Sequence, residues 1–186
     1  MKLRFILPLI VVAVLGVFFW RGLFLNPAEV PSPLIGKPVP EFSLPTLQDP
    51  DKRFTHRDLE GHISLVNIFG SWCPGCYEEH PLLVEWSESP PHGVPIYGID
   101  WAQHREGERE SALEWLRRDG NPYAKIGFDE TGDAIIDWGV YGAPETFLVD
   151  ATGTIRYKHI GVLTEKVLQE KIIPAIELLR EEEQAQ

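Results

Sequence analysis

Cysteine is nearly absent: the 186 residues hold two. Small exported domains that lack a sufficient core are stapled by several disulfides, so two cysteines exclude a disulfide framework and leave a redox or metal-binding role open. Positive charge is also scarce, with 17 Lys and Arg against 28 Asp and Glu and a formal net charge of −11. Lys2, Arg4 and Arg21 are the only charges in the first 25 residues, and removing that +3 leaves −14 on the rest. A chain this acidic is a poor binder of nucleic acid. Internal repeats and low-complexity blocks are missing too, which excludes a solenoid.

Long apolar runs are confined to one place, residues 5–25, where Arg21 is the only charge. About 21 residues at a helical rise of 1.5 Å span roughly 31 Å, close to a hydrocarbon core. Lys2 and Arg4 ahead of the run favour a cytoplasmic N-terminus, and Arg21 can snorkel at the far end. The expectation is a single uncleaved transmembrane helix over 1–25, with a cleaved signal peptide as the alternative. Either way the rest of the chain lies on the exported side. Residues 26–40 carry Pro27, Pro31, Pro33, Pro38 and Pro40 and read as a stiff, extended linker. Residues 41–180 are long enough for one domain with its own core, and 181–186 read as a solvated acidic tail.

Both cysteines stand in Ser71-Trp72-Cys73-Pro74-Gly75-Cys76, directly after the apolar run Ile63–Phe69. A strand, a turn and a helix that begins at Pro74 would place Cys73 at the helix N-terminus. There Pro suits the first helical position, and free N–H groups with the positive dipole end favour a thiolate. The thiolate is the attacking species in thiol–disulfide exchange. Cys76, one turn on, lies on the same face and can resolve a mixed disulfide. Trp72 is expected to shield one side and leave Cys73 open to a partner. A structural disulfide is the first competing reading, but closing so short a loop stabilises by only ~2 kcal/mol in the entropy model. A zinc site with His80 is another, lacking a second ligand pair. Haem attachment requires His after the second Cys, where Tyr77 stands.

The remaining pattern reads as short strands at Glu41–Leu44 and around Phe54, a buried strand His62–Phe69, and a helix Pro74–Ser87 kinked at Pro81. A strand Val94–Asp100 and an amphipathic helix Glu106–Arg118 follow, the latter with Ala112, Leu113, Trp115 and Leu116 inward. Next come a short helix Thr131–Trp138 and a hairpin of Thr146–Asp150 with Thr154–His159 around Ala151-Thr152-Gly153. A last helix, Thr164–Leu179, is capped by Thr164 and bent at Pro174. The order implies a mixed sheet covered by helices on both faces, an α/β fold.

These residues resemble the thioredoxin superfamily and, more narrowly, its CcmG (DsbE) branch, the membrane-tethered proteins of cytochrome c maturation. The resemblance is carried by Leu65-Val66-Asn67-Ile68-Phe69-Gly70-Ser71-Trp72-Cys73-Pro74-Gly75-Cys76 with Glu79-His80-Pro81. Trp138-Gly139-Val140-Tyr141-Gly142-Ala143-Pro144-Glu145-Thr146-Phe147 and Ile155-Arg156-Tyr157-Lys158-His159 extend it. It covers about residues 34–175, and the anchor and tether fit the same layout.

The resemblance implies a thioredoxin fold with an N-terminal β extension, Cys73 as nucleophile, Cys76 as resolving thiol, and a redox-active disulfide between them. It implies a cis-proline at Pro144 that faces the dithiol and frees the backbone of Ala143 for an extended substrate. Trp72, Tyr141, Ala143 and Pro144 would line the substrate groove. Asn67 falls where many thioredoxins carry a buried acid under the dithiol, and Glu79 and Glu145 resemble acids of this branch that could accept protons and raise the cysteine pKa values. His80 reads as a packed helix residue.

The activity so implied is reduction of apocytochrome c or of a partner thiol protein on the periplasmic side of the inner membrane, with electrons from a membrane thiol protein. The two thiols suffice, so no metal or cofactor is expected. The competing functions are a general exported reductase, a non-catalytic module that holds maturation partners, and a peroxidase. The last requires Pro and Thr or Ser just before the reactive cysteine, a pattern that Val66–Trp72 lacks. Chemistry alone predicts exchange, and its direction comes from the resemblance.

Overall fold

A computed structural model describes residues 3–22 and 32–185. Residues 26–31 of the expected linker therefore lie outside the described residues. The chain divides into two units, Met1–Pro31 and Ser32–Gln186. In the first, helix α1 spans Leu3–Gly22. Among the described residues no helix is long and apolar enough to cross a membrane.

The second unit is built on a five-stranded sheet of order β5-β4-β3-β6-β7, formed by β3 (Ser64–Phe69), β4 (Ile96–Trp101), β5 (Lys125–Asp129), β6 (Glu145–Val149) and β7 (Ile155–Ile160). Strands β3, β4 and β5 are parallel, while β6 runs antiparallel to β3 and β7 antiparallel to β6. Central β3 is buried at every residue, as its continuous apolar run implies. Its side chains alternate. Leu65 and Phe69 join a core with helices α2 (Pro74–Glu88) and α3 (Glu108–Asp119) and the C-terminal helices. Val66 and Ile68 join a second core with α4 (Asp133–Asp137) and the N-terminal hairpin. That hairpin pairs β1 (Ser43–Pro45) with β2 (Arg53–Thr55), the extension expected at the N-terminus.

Four differences from the sequence reading have physical causes. Strand β5 was not expected, because five residues with Gly127 at the centre carry a weak strand signal. Gly127 is there for space: a Cβ would stand 2.9 Å from Leu44 and Phe54 of the hairpin packed on that strand. Residues 32–40 are docked rather than a free tether. Gly36 N–H donates to Ile155, Ile155 N–H to Lys37, and Val39 N–H to Gly153. The C-terminal helix is α5 (Glu165–Val167), a π-helical turn over Leu168–Ile172, and α6 (Ile173–Gln184). The wide turn stands directly before Pro174, which cannot donate an N–H. Finally, Glu181–Glu183 lie in α6, and Arg156 of β7 reaches Glu182 at 2.8 Å, so the acidic end belongs to the folded unit.

Candidate active site

The site forms where β3 ends and α2 begins. Gly70, Ser71 and Trp72 make the turn, and a Cβ on Gly70 would stand 2.4 Å from the Trp72 indole nitrogen. Cys73 is the N-cap of α2, with Pro74 in the first turn, and its Sγ accepts from the Cys76 N–H at 3.1 Å. Cys73 and Cys76 are joined as a disulfide.

The openness expected at Cys73 is absent in this state. Cys73 is 1% and Cys76 2% exposed. The uncharged disulfide joins the apolar cluster beneath α2, and Trp72 and Ala143 pack against that cluster. Trp72 is pinned from β4: its Nε1 donates to the Trp101 carbonyl at 2.8 Å and its ring meets Trp101 edge-on. The Arg105 guanidinium lies 5.3 Å from the Trp72 ring centre. Tyr77 donates its hydroxyl to the Ser71 carbonyl at 2.9 Å, bracing the same turn.

Pro144 comes from the opposite side. The Ala143–Pro144 bond is cis, and the proline ring lies so close to α2 that a Cβ on Gly75 would sit 3.0 Å from Pro144 Cδ. Ala143 lies just before β6, whose ladder begins at Glu145. Tyr141 is 84% exposed.

Asn67 and Glu79 meet where β3 faces α2. Asn67 faces α2 from the middle of β3, and Glu79 lies one helical turn beyond Cys76 on the same face. Asn67 Nδ2 donates to Glu79 Oε1 at 2.8 Å and to Thr146 Oγ1 at 3.1 Å, while its Oδ1 accepts from the Tyr123 hydroxyl at 2.8 Å. Glu79 Oε2 accepts from the Leu163 N–H at 2.6 Å. Burial pushes the Glu79 carboxyl up to about 7, against the opposing pull of the Leu163 and Asn67 hydrogen bonds. A buried carboxyl poised near neutrality, one helical turn from Cys76, is equipped to take and return a proton.

Glu145 is also fully buried, but its surroundings differ. Its Oε1 accepts from the Tyr141 N–H at 3.0 Å and its Oε2 lies 2.8 Å from Lys158 Nζ. The Lys158 side chain is 3% exposed, donates to the Gly139 carbonyl at 2.8 Å and faces the rings of Tyr141 and Phe147. The pair therefore braces the Gly139–Glu145 loop that carries Pro144. His80 is packed as expected, with Nε2 3.0 Å from the Gly120 carbonyl and its ring against Trp115; burial pulls its pKa down. Tyr123, Thr146, Leu163 and Lys158 were not singled out from sequence as site residues. They reach the site across the sheet, and no local spacing announces that.

The chain matches the AhpC/TSA family over residues 35–158. It is 45% identical over 180 residues to a thiol:disulfide interchange protein DsbE of Pseudomonas aeruginosa, covering 97% of this chain and 96% of that one. It is 44% identical over 173 residues to a protein of the same name from Allochromatium vinosum, covering 93% and 92%. Among solved structures, a thiol:disulfide interchange protein of the thioredoxin family from Chlorobium tepidum aligns with a TM-score of 0.59 at 22% identity, over 76% of this chain and 94% of that one. A secreted thiol-disulfide isomerase from Corynebacterium glutamicum aligns with a TM-score of 0.63 at 19% identity, over 75% and 85%. At those identities the likeness shows the fold, which is thioredoxin-like.

Proposed function

This chain belongs to the AhpC/TSA family and, within it, to the DsbE thiol:disulfide interchange proteins, and is a thiol–disulfide oxidoreductase; from that premise we propose that it reduces disulfides of apocytochrome c, or of a partner thiol protein, during cytochrome c maturation. In this reading Cys73 is the nucleophile. The carrying observation is its place at the cap of α2, where its sulfur accepts the Cys76 N–H and the helix end favours a thiolate.

The cycle balances with the chain's own groups. The Cys73 thiolate attacks the substrate disulfide, forming a mixed disulfide and releasing one substrate thiolate, which takes a proton from solvent. Cys76 gives its proton to Glu79, and its thiolate attacks Cys73 Sγ. The second substrate thiolate leaves, and the Cys73–Cys76 disulfide remains for a membrane thiol protein to reduce. Trp72 and Pro144 flank the dithiol, Ala143 offers backbone to an extended segment, and Tyr141 offers an exposed ring beside it.

Residues 5–25 anchor the protein in the inner membrane in this reading, with Lys2 and Arg4 on the cytoplasmic side and the catalytic domain in the periplasm. The support is sequence: one charge in the run and basic residues before it. Peroxide reduction, the other chemistry associated with a reactive cysteine, lacks support in the residues from Val66 to Trp72, none of which is proline.

Mixed-disulfide trapping tests the reading. Full-length Cys76→Ala expressed in the native host and quenched in acid is expected to hold apocytochrome c or maturation thiol proteins on Cys73, and Cys73→Ala is expected to abolish activity. A broad mixture of exported proteins would replace the specific substrate with a general one. No adduct, together with an active Cys73→Ala, would leave a binding module.

A further inference from the structure

Behind the turn that leads into Cys73 lies a second pair of acids that the exchange cycle does not use. Asp100, near the end of β4 and in register with Phe69 of β3, is fully buried. Neither of its carboxyl oxygens has a hydrogen-bond donor among the described residues. A carboxylate buried without donors is costly, so such a group keeps its proton or finds compensation. Glu108, in the first turn of α3, is in contact with it and is also buried. Glu108 is well supplied with donors: Oε1 accepts the Ser71 N–H at 2.6 Å and Oε2 the Ser71 hydroxyl at 2.8 Å. Two carboxyl groups in contact bond to each other only when one carries a proton. The donors on Glu108 make it the anion, and the lack of donors on Asp100 makes it the proton carrier.

The other groups facing this pair are accounted for. Arg109 lies near Asp100, but its guanidinium donates to the Thr46 and Leu47 carbonyls and stacks over Phe128. The Tyr123 hydroxyl is committed to Asn67, and burial with the charges of Glu79 and Asp100 holds its own proton in place well above the usual tyrosine range. Burial and Glu108 together hold the Asp100 carboxyl well above the usual carboxylate range, against the weaker pull of Arg109.

We propose that Asp100 and Glu108 share one proton, and that Asp100 is thereby a positioning residue whose acid holds Glu108 on Ser71 and fixes the turn that presents Cys73. The adjoining residue completes the brace, since the Trp101 carbonyl takes the Trp72 indole. Loss of the shared proton at high pH would set two anions against each other and release Ser71. Asp100→Asn, which can donate an amide N–H to Glu108 at every pH, removes that release. The consequence for Cys73 rests on its reading as the attacking thiol; the shared proton does not.

Infrared difference spectroscopy of the oxidised full-length protein tests the proton directly. A Glu79→Gln background removes the buried carboxyl that is pushed up to about 7. The expected result is a protonated-carboxyl band that persists above neutral pH and is lost in Asp100→Asn. In the reduced protein, mass-resolved alkylation of Cys73 across pH is expected to show the thiol's own titration and a further step at higher pH, the latter lost in Asp100→Asn. If that variant does not fold, Glu108→Gln decides, because a band from Asp100 must shift when its acceptor changes. No such band, or one indifferent to both substitutions, overturns the proposal, as does an unaltered upper step in Asp100→Asn. Alkylation falling first on Cys76 would instead overturn the assignment of Cys73 and leave the infrared result standing.

Discussion

Glu79 and Glu145 are the same residue type, both buried, one on either side of the redox centre, yet they are built for different work. Glu79 meets only neutral donors, an asparagine amide and a backbone N–H. Glu145 meets an ammonium at 2.8 Å. The first environment leaves the charge uncompensated and lets the proton come and go near neutrality; the second compensates the charge and uses it to hold a loop. Burial alone therefore does not identify a proton carrier. The charge of the nearest partner does.

The largest effect is expected on the Glu145 side. Lys158→Met removes the ammonium and strands a buried carboxylate, a change that typically costs about 3–5 kcal/mol. Adding Glu145→Gln should recover most of that loss, because no uncompensated charge remains. Chemical denaturation of the two variants checks this. A single variant as stable as the wild type would show that Lys158 does not compensate Glu145, and the contrast with Glu79 would collapse.

Glu79 is sharpened through pH. Its ordinary value of 4.5 is raised to about 7 by burial, so between those limits the folded state holds a proton that the unfolded chain has released. Its contribution to stability is thus fully present below 4.5 and is lost as pH rises to about 7, by roughly 3 kcal/mol over the window. Glu79→Gln cannot titrate, so its stability relative to the wild type should rise by that amount across the same range. If Glu79 takes the Cys76 proton as proposed, the resolving attack should slow in the variant with the neutral part of its pH profile flattened. Parallel stability curves for the two proteins would remove Glu79 as a group that titrates there.

How much of this was readable beforehand depends on the distance in sequence between the partners. The cap at Cys73, the proline behind it and the one-turn step to Cys76 are local, and the helix they predict is present from Pro74 to Glu88. Glu79 on the face of Cys76 follows from the same periodicity. Strand β5 was hidden because Gly127, needed for the hairpin to approach, weakens the only local signal that strand has. Lys158 was visible as part of a motif but not as the partner of Glu145: it pairs with Phe147 in the β6–β7 ladder, two residues along from Glu145, and cross-strand diagonals emerge only once the register is known. Residues 32–40 looked like the end of a tether because proline speaks for stiffness and says nothing about docking.

The smallest effect on stability is expected where the two sides meet, at Gly75. Alanine there favours the helix by up to about 1 kcal/mol, but its Cβ would stand 3.0 Å from Pro144 Cδ and 3.1 Å from Val162 Cγ2, and such crowding costs about as much or more. The terms oppose, so the melting temperature of Gly75→Ala should stay close to that of the wild type while Pro144 moves away from the dithiol. In the proposed reading only a protein disulfide uses the backbone before Pro144, so its turnover should then fall more than turnover of a small-molecule disulfide. Equal losses on both substrates would locate the effect of Gly75 in the dithiol itself, on the side of Glu79, rather than in the loop that Glu145 and Lys158 hold in place.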